Sequence, residues 1–479
     1  MSEGGIPSEL PEGWSWSSLG EVAEVIRGVT YKKQQASASP ASGYLPLLRA
    51  TNIVGELNTS EELVYVPERL VSASQRIRVG DIIVASSSGS SSVVGKSAAL
   101  PRQWAGTWGA FCACVRPLPP MEPSFLALFL QGDEVRRRWS RKARGSNINN
   151  LKVGDMKETP VPVPPLEEQR RIVAALEEQL SRLDAASGVL DVSERRIEQY
   201  LQAALHEMTS GHDLVSLRDV LDSGLTNGRS VPTRAGGFPV LRLTALSDTY
   251  VDLSQSKEGD WEESDAKPFF VRRGDFLIAR GNGSLSLVGR GSLVADVPSP
   301  VAYPDTMIRA CPDPRKIIAE YLRTIWSSLA VRRQIESKAR TTAGIYKVNQ
   351  KILGAIEFPL PELTIQRALC DQWSVIEQQA RHLAQTVSVS KKRSASLRRS
   401  LLAEAFAGRL TSQDPADEPA EVLLARIRAE SETAVRRAPA RRRALSATTP
   451  VPTAPPPSPA DVPTLATATQ PTLDLEIPS

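Results

Sequence analysis

Pro46-Leu-Leu-Arg-Ala-Thr-Asn-Ile53 returns, later in the same chain, as Pro239-Val-Leu-Arg-Leu-Thr-Ala-Leu246. The echo continues in order. Val79-Gly-Asp-Ile-Ile-Val-Ala85 matches Arg273-Gly-Asp-Phe-Leu-Ile-Ala279, and Gly89-Ser-Ser-Ser-Val-Val-Gly-Lys96 matches Gly283-Ser-Leu-Ser-Leu-Val-Gly-Arg290. Val135-Arg-Arg-Arg138 then matches Val331-Arg-Arg-Gln334, and Pro162-Val-Pro164 before Gln169 matches Pro359-Leu-Pro361 before Gln366. The offset is nearly constant, at about 195 residues, far longer than the 20 to 50 residues of a solenoid repeat. Each copy is therefore a whole domain with its connector, duplicated.

Within a copy, short apolar or β-branched runs bounded by Gly, Pro and Ser come first: Tyr44 to Ile53, Asp81 to Ala85, Val93 to Gly95 and Phe111 to Val115. These read as strands. An apolar helix is expected next, Ser124 to Trp139 in the first copy and Lys316 to Lys338 in the second, and then a polar loop and a Pro-rich strand. Each unit is an α+β globule of about 150 residues.

A long helix follows each globule. Pro164-Pro165-Leu-Glu-Glu places proline and acid where a helix N-terminus favours them. Val173, Leu176, Leu180, Leu183, Ser187, Leu190, Glu194, Ile197, Leu201, Ala204 and Met208 then step by threes and fours, as do Leu369, Trp373, Ile376, Ala380, Leu383, Val387, Ser390, Ser394, Leu397 and Leu401. This is a coiled-coil period. With a whole globule between them, the two helices are expected to pair antiparallel. The expected divisions are a first globule at 1–163, its helix at 164–211, a second globule at 212–361, its helix at 362–409, a short amphipathic helix at 410–430 and a tail at 431–479. The tail holds ten of the 36 prolines among Ala, Thr and Ser, a composition expected to stay disordered.

The 479 residues carry 58 Lys+Arg against 54 Asp+Glu, a formal charge of +4, so any nucleic-acid surface must be local rather than a bulk polycation. Four cysteines cannot staple so long a chain, no apolar run is long enough to span a membrane, and Met1-Ser-Glu-Gly-Gly-Ile-Pro has no signal-peptide pattern. A cytoplasmic location is expected. Three histidines, none in a metal-ligand spacing, leave no bound metal or cofactor in view.

Catalytic motifs fail on counting. Gly89 to Lys96 looks like a phosphate loop, but five residues separate Gly89 from Gly95 where that motif needs four, and the second copy has neither the lysine nor the following hydroxyl. Pro312-Asp313 with Glu336-Ser-Lys338 spells a magnesium-nuclease pattern. On a helix, however, residues two apart project roughly 200° apart.

Chemistry suited to DNA is present twice. Arg137, Arg141, Lys142 and Arg144 crowd one helix end, and Arg332, Arg333, Lys338 and Arg340 crowd the matching end. Guanidinium clusters suit phosphates. Ser146, Asn147 and Asn149 follow the first cluster and Thr341, Tyr346, Lys347 and Asn349 the second, residue types that bond base edges and backbone. The repeated turns add Arg49, Thr51, Asn52, Ser90 and Lys96 in one copy, and Arg242, Thr244, Arg280, Asn282, Ser284 and Arg290 in the other.

These features carry a family resemblance. Leu10-Pro-Glu-Gly-Trp14 with Leu19-Gly20, the Val79-Gly-Asp81 strand, the junction Pro162-Val-Pro-Pro-Leu-Glu-Glu-Gln169 and the ending Leu402-Ala-Glu-Ala-Phe-Ala-Gly-Arg-Leu410 resemble the specificity subunits of type I restriction-modification systems over about residues 7 to 430. The resemblance implies a non-catalytic subunit whose two target-recognition domains each read one half of an interrupted double-stranded DNA sequence. It implies that the paired helices set the gap and dock two copies of a modification subunit and the restriction subunits. Those partners would bring S-adenosylmethionine, ATP and magnesium. The alternatives are a recognition subunit of another methylation-based defence complex and, from a different class, an autonomous nuclease.

Overall fold

The computed structural model describes residues 9–143, 149–342 and 344–445. Two compact units result: Met1–Arg171 together with Ser412–Ser479, and Ile172–Thr411. The first copy begins β1 (Ser15–Ser18), α1 (Leu19–Val22), β2 (Ala23–Arg27), β3 (Tyr44–Leu48), β4 (Val64–Pro67), β5 (Ile82–Ala85), β6 (Ser87–Ser88), β7 (Ser97–Ala99), β8 (Thr107–Trp108) and β9 (Cys112–Pro117). It continues through α2 (Pro123–Gln131), α3 (Asp133–Lys142), β10 (Asn149–Asn150), α4 (Val153–Lys157) and β11 (Pro160–Val163) into the long α5 (Leu166–Thr209). The second copy begins β12 (Leu214–Ser216), β13 (Leu221–Asn227), β14 (Thr233–Leu241), β15 (Ser256–Gly259), α6 (Glu263–Ala266), β16 (Phe276–Ala279), β17 (Gly281–Asn282), β18 (Gly291–Leu293) and β19 (Met307–Pro312). It closes with α7 (Ala319–Trp326), α8 (Leu329–Lys338), β20 (Arg340–Thr342), β21 (Ile345–Lys347), α9 (Gln350–Gly354), β22 (Glu357–Pro359) and the long α10 (Leu363–Phe406), followed by α11 (Ala420–Leu445).

The duplication is visible in the sheets. Four antiparallel strands run β2-β9-β5-β7 in one copy and β13-β19-β16-β18 in the other, with Ile82 opposite Val115 and Phe276 opposite Ala310. Every residue of β5 and of β16 is buried, which explains why both read as continuous apolar runs rather than alternating ones. Asp81 enters β5 buried and takes a two-pronged bond from Arg116, Nε to Oδ1 at 2.8 Å and Nη2 to Oδ2 at 2.7 Å. Asp275 stands at the matching place, with Arg309 3.9 Å away and the Cys311 thiol 3.5 Å from Oδ1.

Local geometry alters three sequence expectations. Val93–Gly95 is a turn rather than a strand, with Gly95 at a φ of +82° and the strand beginning at Ser97. The run from Tyr44 to Ile53 stops at Leu48, because the Asn52 carbonyl accepts from the Arg49 amide at 2.8 Å and curls Ala50–Asn52 into a 3-10 turn. Each expected helix after the sheet is two helices. Gly132 is extended between α2 and α3, and the Ser328 hydroxyl caps α8 by accepting from the Val331 amide.

One glutamine per copy anchors a long helix to its globule. The Gln169 carbonyl accepts from the Glu122 amide at 3.1 Å while its NH2 donates to Pro164 O at 3.0 Å. Gln366 repeats this on Ile318 N at 2.8 Å, Pro361 O at 2.8 Å and Lys316 O at 3.0 Å. Both side chains are fully buried. In the first copy Trp14 Nε1 also donates to Glu168 at 2.9 Å; the second copy has no such tryptophan, and Ile365, in the place of Glu168, is 41 % exposed.

Helices α5 and α10 pair antiparallel: Asp184 meets Arg398 at 2.7 Å, Ser187 meets Ser394 at 3.2 Å, and Lys391 reaches Asp191 at 2.7 Å and also Glu194. The seam is less closed than its heptads suggest. Leu183, Leu190, Ile197 and Leu201 are half-buried, and Leu383 and Leu397 stay 55 % and 51 % exposed. On a helix of 3.6 residues per turn the ion-paired residues fall to one side of the contact line and these aliphatics to the other, so one flank of the pair is ionic and the opposite flank leaves Leu383 and Leu397 exposed.

The chain end returns to its beginning. Asp417 pairs with Arg171 at 2.5 Å, Ala420 N donates to Gly13 O at 2.9 Å, and Arg428 lies 3.6 Å from Glu21 on α1. Ala420, Leu423, Leu424 and Ile427 form its buried face. α11 extends past residue 430 to Leu445, because strong helix formers, Ala and Arg, dominate the residues where the tail was expected to begin. Residues 446–479 lie outside the described residues.

Candidate nucleic-acid interface

Three segments meet in each copy beyond the buried central strand. In the first, β6 pairs with β10, setting Ser88 opposite Asn149, and the Asn149 amide reaches Gly89 O at 3.5 Å. The turn after β6 carries exposed Ser90, whose hydroxyl bonds Ser92 at 2.8 Å, and half-buried Lys96. Arg136 of α3 braces that turn by donating to Ser92 O at 3.1 Å. The second copy builds the same corner from β17-β21-β20, where Asn282 lies opposite Tyr346 and Thr341 opposite Tyr346 on its other side. Asn282 accepts from the Ser284 amide at 3.0 Å, and Ser284 bonds Ser286 at 2.9 Å.

Cations edge both corners. Arg137 and Arg141 are exposed on α3 beside Glu134, at 3.2 and 3.6 Å. Lys142 bonds Glu158 at 2.9 Å and Asp155 at 3.3 Å, contacts that hold its ammonium above the usual lysine range. Arg333, Arg340 and Lys347 are exposed in the second copy. Lys338 is exposed and donates to Ala355 O at 3.5 Å; Arg290 bonds Asp248 at 3.1 Å, and Arg280 donates to Asp305 O at 3.3 Å. Arg144, Ser146 and Asn147 lie outside the described residues.

Several expected contacts turn inward. Asn52 is buried, and its NH2 donates to Glu61 O at 3.0 Å while its carbonyl holds Arg49 N, so it shapes the loop instead of facing a ligand. Arg49 donates to Glu62 O at 2.8 Å, leaving Thr51 exposed between them. At the matching turn Arg242 donates to Ser256 O at 3.0 Å and Thr244 faces Gln255 at 3.5 Å. Arg332 spends its guanidinium on Val288 O at 2.7 Å, Leu285 O at 3.3 Å and Glu336 at 3.0 Å, the same brace as Arg136. Asn349 caps α9 by accepting from Ile352 N at 2.8 Å. Of the nuclease spelling, Glu336 is held by Arg332, and Arg315 holds the Asp313 carboxyl down at about 2.

Sequence reasoning missed Phe111, read as strand interior. β9 starts one residue later, and Phe111 is 65 % exposed at the turn before it, its backbone carbonyl accepting from Ser86 and Ser87. The turn signal was the Gly109-Ala110 pair before it.

The chain resembles known proteins over most of its length. Residues 11–187 match the family model of the type I restriction modification DNA specificity domain. The EcoKI specificity subunit of Escherichia coli K12 is 32 % identical, over 88 % of this chain and 96 % of its own length. The chain belongs to the type I restriction enzyme specificity subunits. A second relative, the StySPI specificity subunit of Salmonella potsdam, is 31 % identical over the same shares of the two chains. A solved structure described as the basis of complex assembly and conformational transition of the type I R-M system shares the fold, with a TM-score of 0.61 at 22 % identity over 84 % of this chain and all of that one. In this specificity subunit both corners hang on one repeated frame of buried strand, glutamine anchor and arginine brace.

Proposed function

We propose that this specificity subunit, a non-catalytic one, reads an interrupted sequence in double-stranded DNA, with one half recognised by each copy of the duplicated domain. The observation that carries this reading is the repeated corner: in each copy a hydroxyl- and amide-bearing strand pair is edged by exposed cations, Arg137 and Arg141 on one and Arg333, Arg340 and Lys347 on the other. Cations neutralise phosphates and position the duplex, while amides and hydroxyls bond base edges. The antiparallel helices set the unread gap, and their flank with exposed Leu383 and Leu397 docks the partners: two copies of a modification subunit bringing S-adenosylmethionine, and restriction subunits bringing ATP and magnesium. Among the described residues no helix is long and apolar enough to cross a membrane, and the cytoplasm, where DNA lies, is the proposed site of action.

Co-expression with the methyltransferase partner, followed by genome-wide mapping of N6-methyladenine, tests this. A two-part motif with a fixed gap is expected; methylation without such a motif, or unchanged when this chain is omitted, overturns it. The gap has its own test. Because Ser187 and Ser394 face each other, four helix-forming residues must be inserted in both helices at that level to keep the register. That adds about 6 Å and a net rotation of roughly 40°. The half-sites are expected to stay the same while the gap grows by about two base pairs; an unaltered gap in an active complex overturns the ruler.

A further inference from the structure

We infer that Phe111 is an apolar base-contacting residue of the first recognition domain. This rests on the proposed DNA reading and names a residue within it. Phe111 is the only one of the nine phenylalanines on the exposed surface, and at 65 % exposure most of its apolar surface stays in water. Its backbone is also pinned. Its carbonyl accepts from the Ser86 amide at 2.9 Å and the Ser87 amide at 3.0 Å, and Cys112 N donates to Gly109 O at 2.8 Å to close the turn. Behind the turn, a Cβ on Gly28 would lie 2.0 Å from Gly109 O, so two backbone segments touch and the turn cannot retreat. The residue is therefore fixed by its backbone beside β6, next to the strand pair that sets Ser88 opposite Asn149.

The strand pair it adjoins bears hydroxyl and amide side chains, Ser88 opposite Asn149, and the partner proposed for that corner is duplex DNA. On a duplex, the apolar partners open to such a ring are the thymine 5-methyl and the face of a partly unstacked base. Both are base contacts rather than backbone contacts. The second copy has a different residue in the same position: Thr306 O accepts from Arg280 N at 2.8 Å and Met307 N donates to Pro304 O at 3.0 Å, matching the bonds around Phe111. Thr306 is exposed too. One domain thus offers an apolar probe where the other offers a hydroxyl, so the two copies read unlike half-sites at that position.

The test uses this chain assembled with its methyltransferase partner and selects bound sequences from randomised duplex pools, one with thymine and one with uracil in its place. Phe111→Ala is expected to lose about tenfold of the preference at one position of the first half-site, with the second half-site, the salt dependence and the thermal midpoint unchanged. Phe111→Leu retains part of that preference. If the contact is a methyl group, the wild-type complex loses the same preference in the uracil pool; if it is a base face, 2-aminopurine at that step brightens with the wild-type complex and not with Phe111→Ala. Asn149→Ala is run alongside. A motif altered by Asn149→Ala but intact in Phe111→Ala overturns the role of Phe111 alone, whereas a motif intact in both overturns the reading of this corner as the DNA face.

Discussion

Asp81 and Asp275 stand at the same point of the same sheet in two copies of one domain, and each is buried at the entrance to the central strand. Their partners differ. Arg116 grips Asp81 through two nitrogens, whereas two strand positions of the second copy have exchanged chemistry: Cys311 pairs across the sheet where the first copy has the arginine, and Arg309 lies two residues earlier, 3.9 Å from the carboxylate and 5.0 Å over the Tyr303 ring. After duplication the strand frame was retained and the buried charge was compensated anew. A buried carboxylate needs compensation, but more than one neighbour can supply it.

That contrast can be broken most sharply at the carboxylates. Asp81→Asn strands a buried guanidinium and is expected to cost the first unit about 3–5 kcal/mol in denaturant unfolding. Asp275→Asn is expected to cost the second unit about 1 kcal/mol or less, since its neutral amide still accepts from the Arg272 amide, now 2.8 Å from Oδ2. Equal losses would show that Arg309 serves as a full substitute for Arg116. Gln169→Leu and Gln366→Leu probe the opposite case, a device kept alike in both copies. Each leaves a buried amide and carbonyls unpaired, and each is expected to cost about 1–3 kcal/mol; a difference of more than twofold would show that Trp14 and Glu168 share the load in the first copy.

Recognition provides the third comparison. Replacing Arg333, Arg340 and Lys347 with alanine is expected to flatten the salt dependence of binding by roughly 0.9 per lost phosphate contact without destabilising the unit, while Arg332→Ala leaves the slope alone and loosens the 285–288 turn it braces. A changed slope for Arg332→Ala would return that residue to the interface. The smallest effect is one of pH. Burial lifts the Asp275 carboxyl above its ordinary value of 3.8, the Arg272 amide and Arg309 pulling it back in part. Protonation therefore favours the folded second unit: this contribution is complete below 3.8 and is lost as pH rises through the raised value. Unfolding followed from acid to neutral pH is expected to show a decline that Asp275→Asn removes; a decline that persists assigns it elsewhere.

The duplication, the α+β class and the antiparallel long helices were legible because they depend on residue type and period, which a sequence displays directly. What was not legible depended on where a side chain turns. Asn52, Arg332 and Asn349 have the chemistry of a DNA contact, yet Asn52 and Asn349 each satisfy a backbone group of their own turn and Arg332 satisfies carbonyls of the 285–288 turn packed against its helix. The breaks at Gly132 and Ser328 escaped notice because a continuous apolar stripe fits one helix as well as two. Phe111 was hidden for the reverse reason: an aromatic next to a strand looks like core.

The first unit needs residues from both ends of the chain, and a ribosome delivers those ends far apart in time. Residues up to Arg171 emerge early, but the aliphatic face of Ala420–Ile427 that completes their packing is made only after the whole second unit. At about 5–20 residues per second, the early domain waits on the order of 12 to 50 seconds with α1 and β1 uncovered. The second unit, being continuous, has no such wait. Synthesis order and completion order are thus reversed: the domain translated first is the one finished last, and a message cut short after Thr411 leaves the earlier domain, not the later one, incomplete.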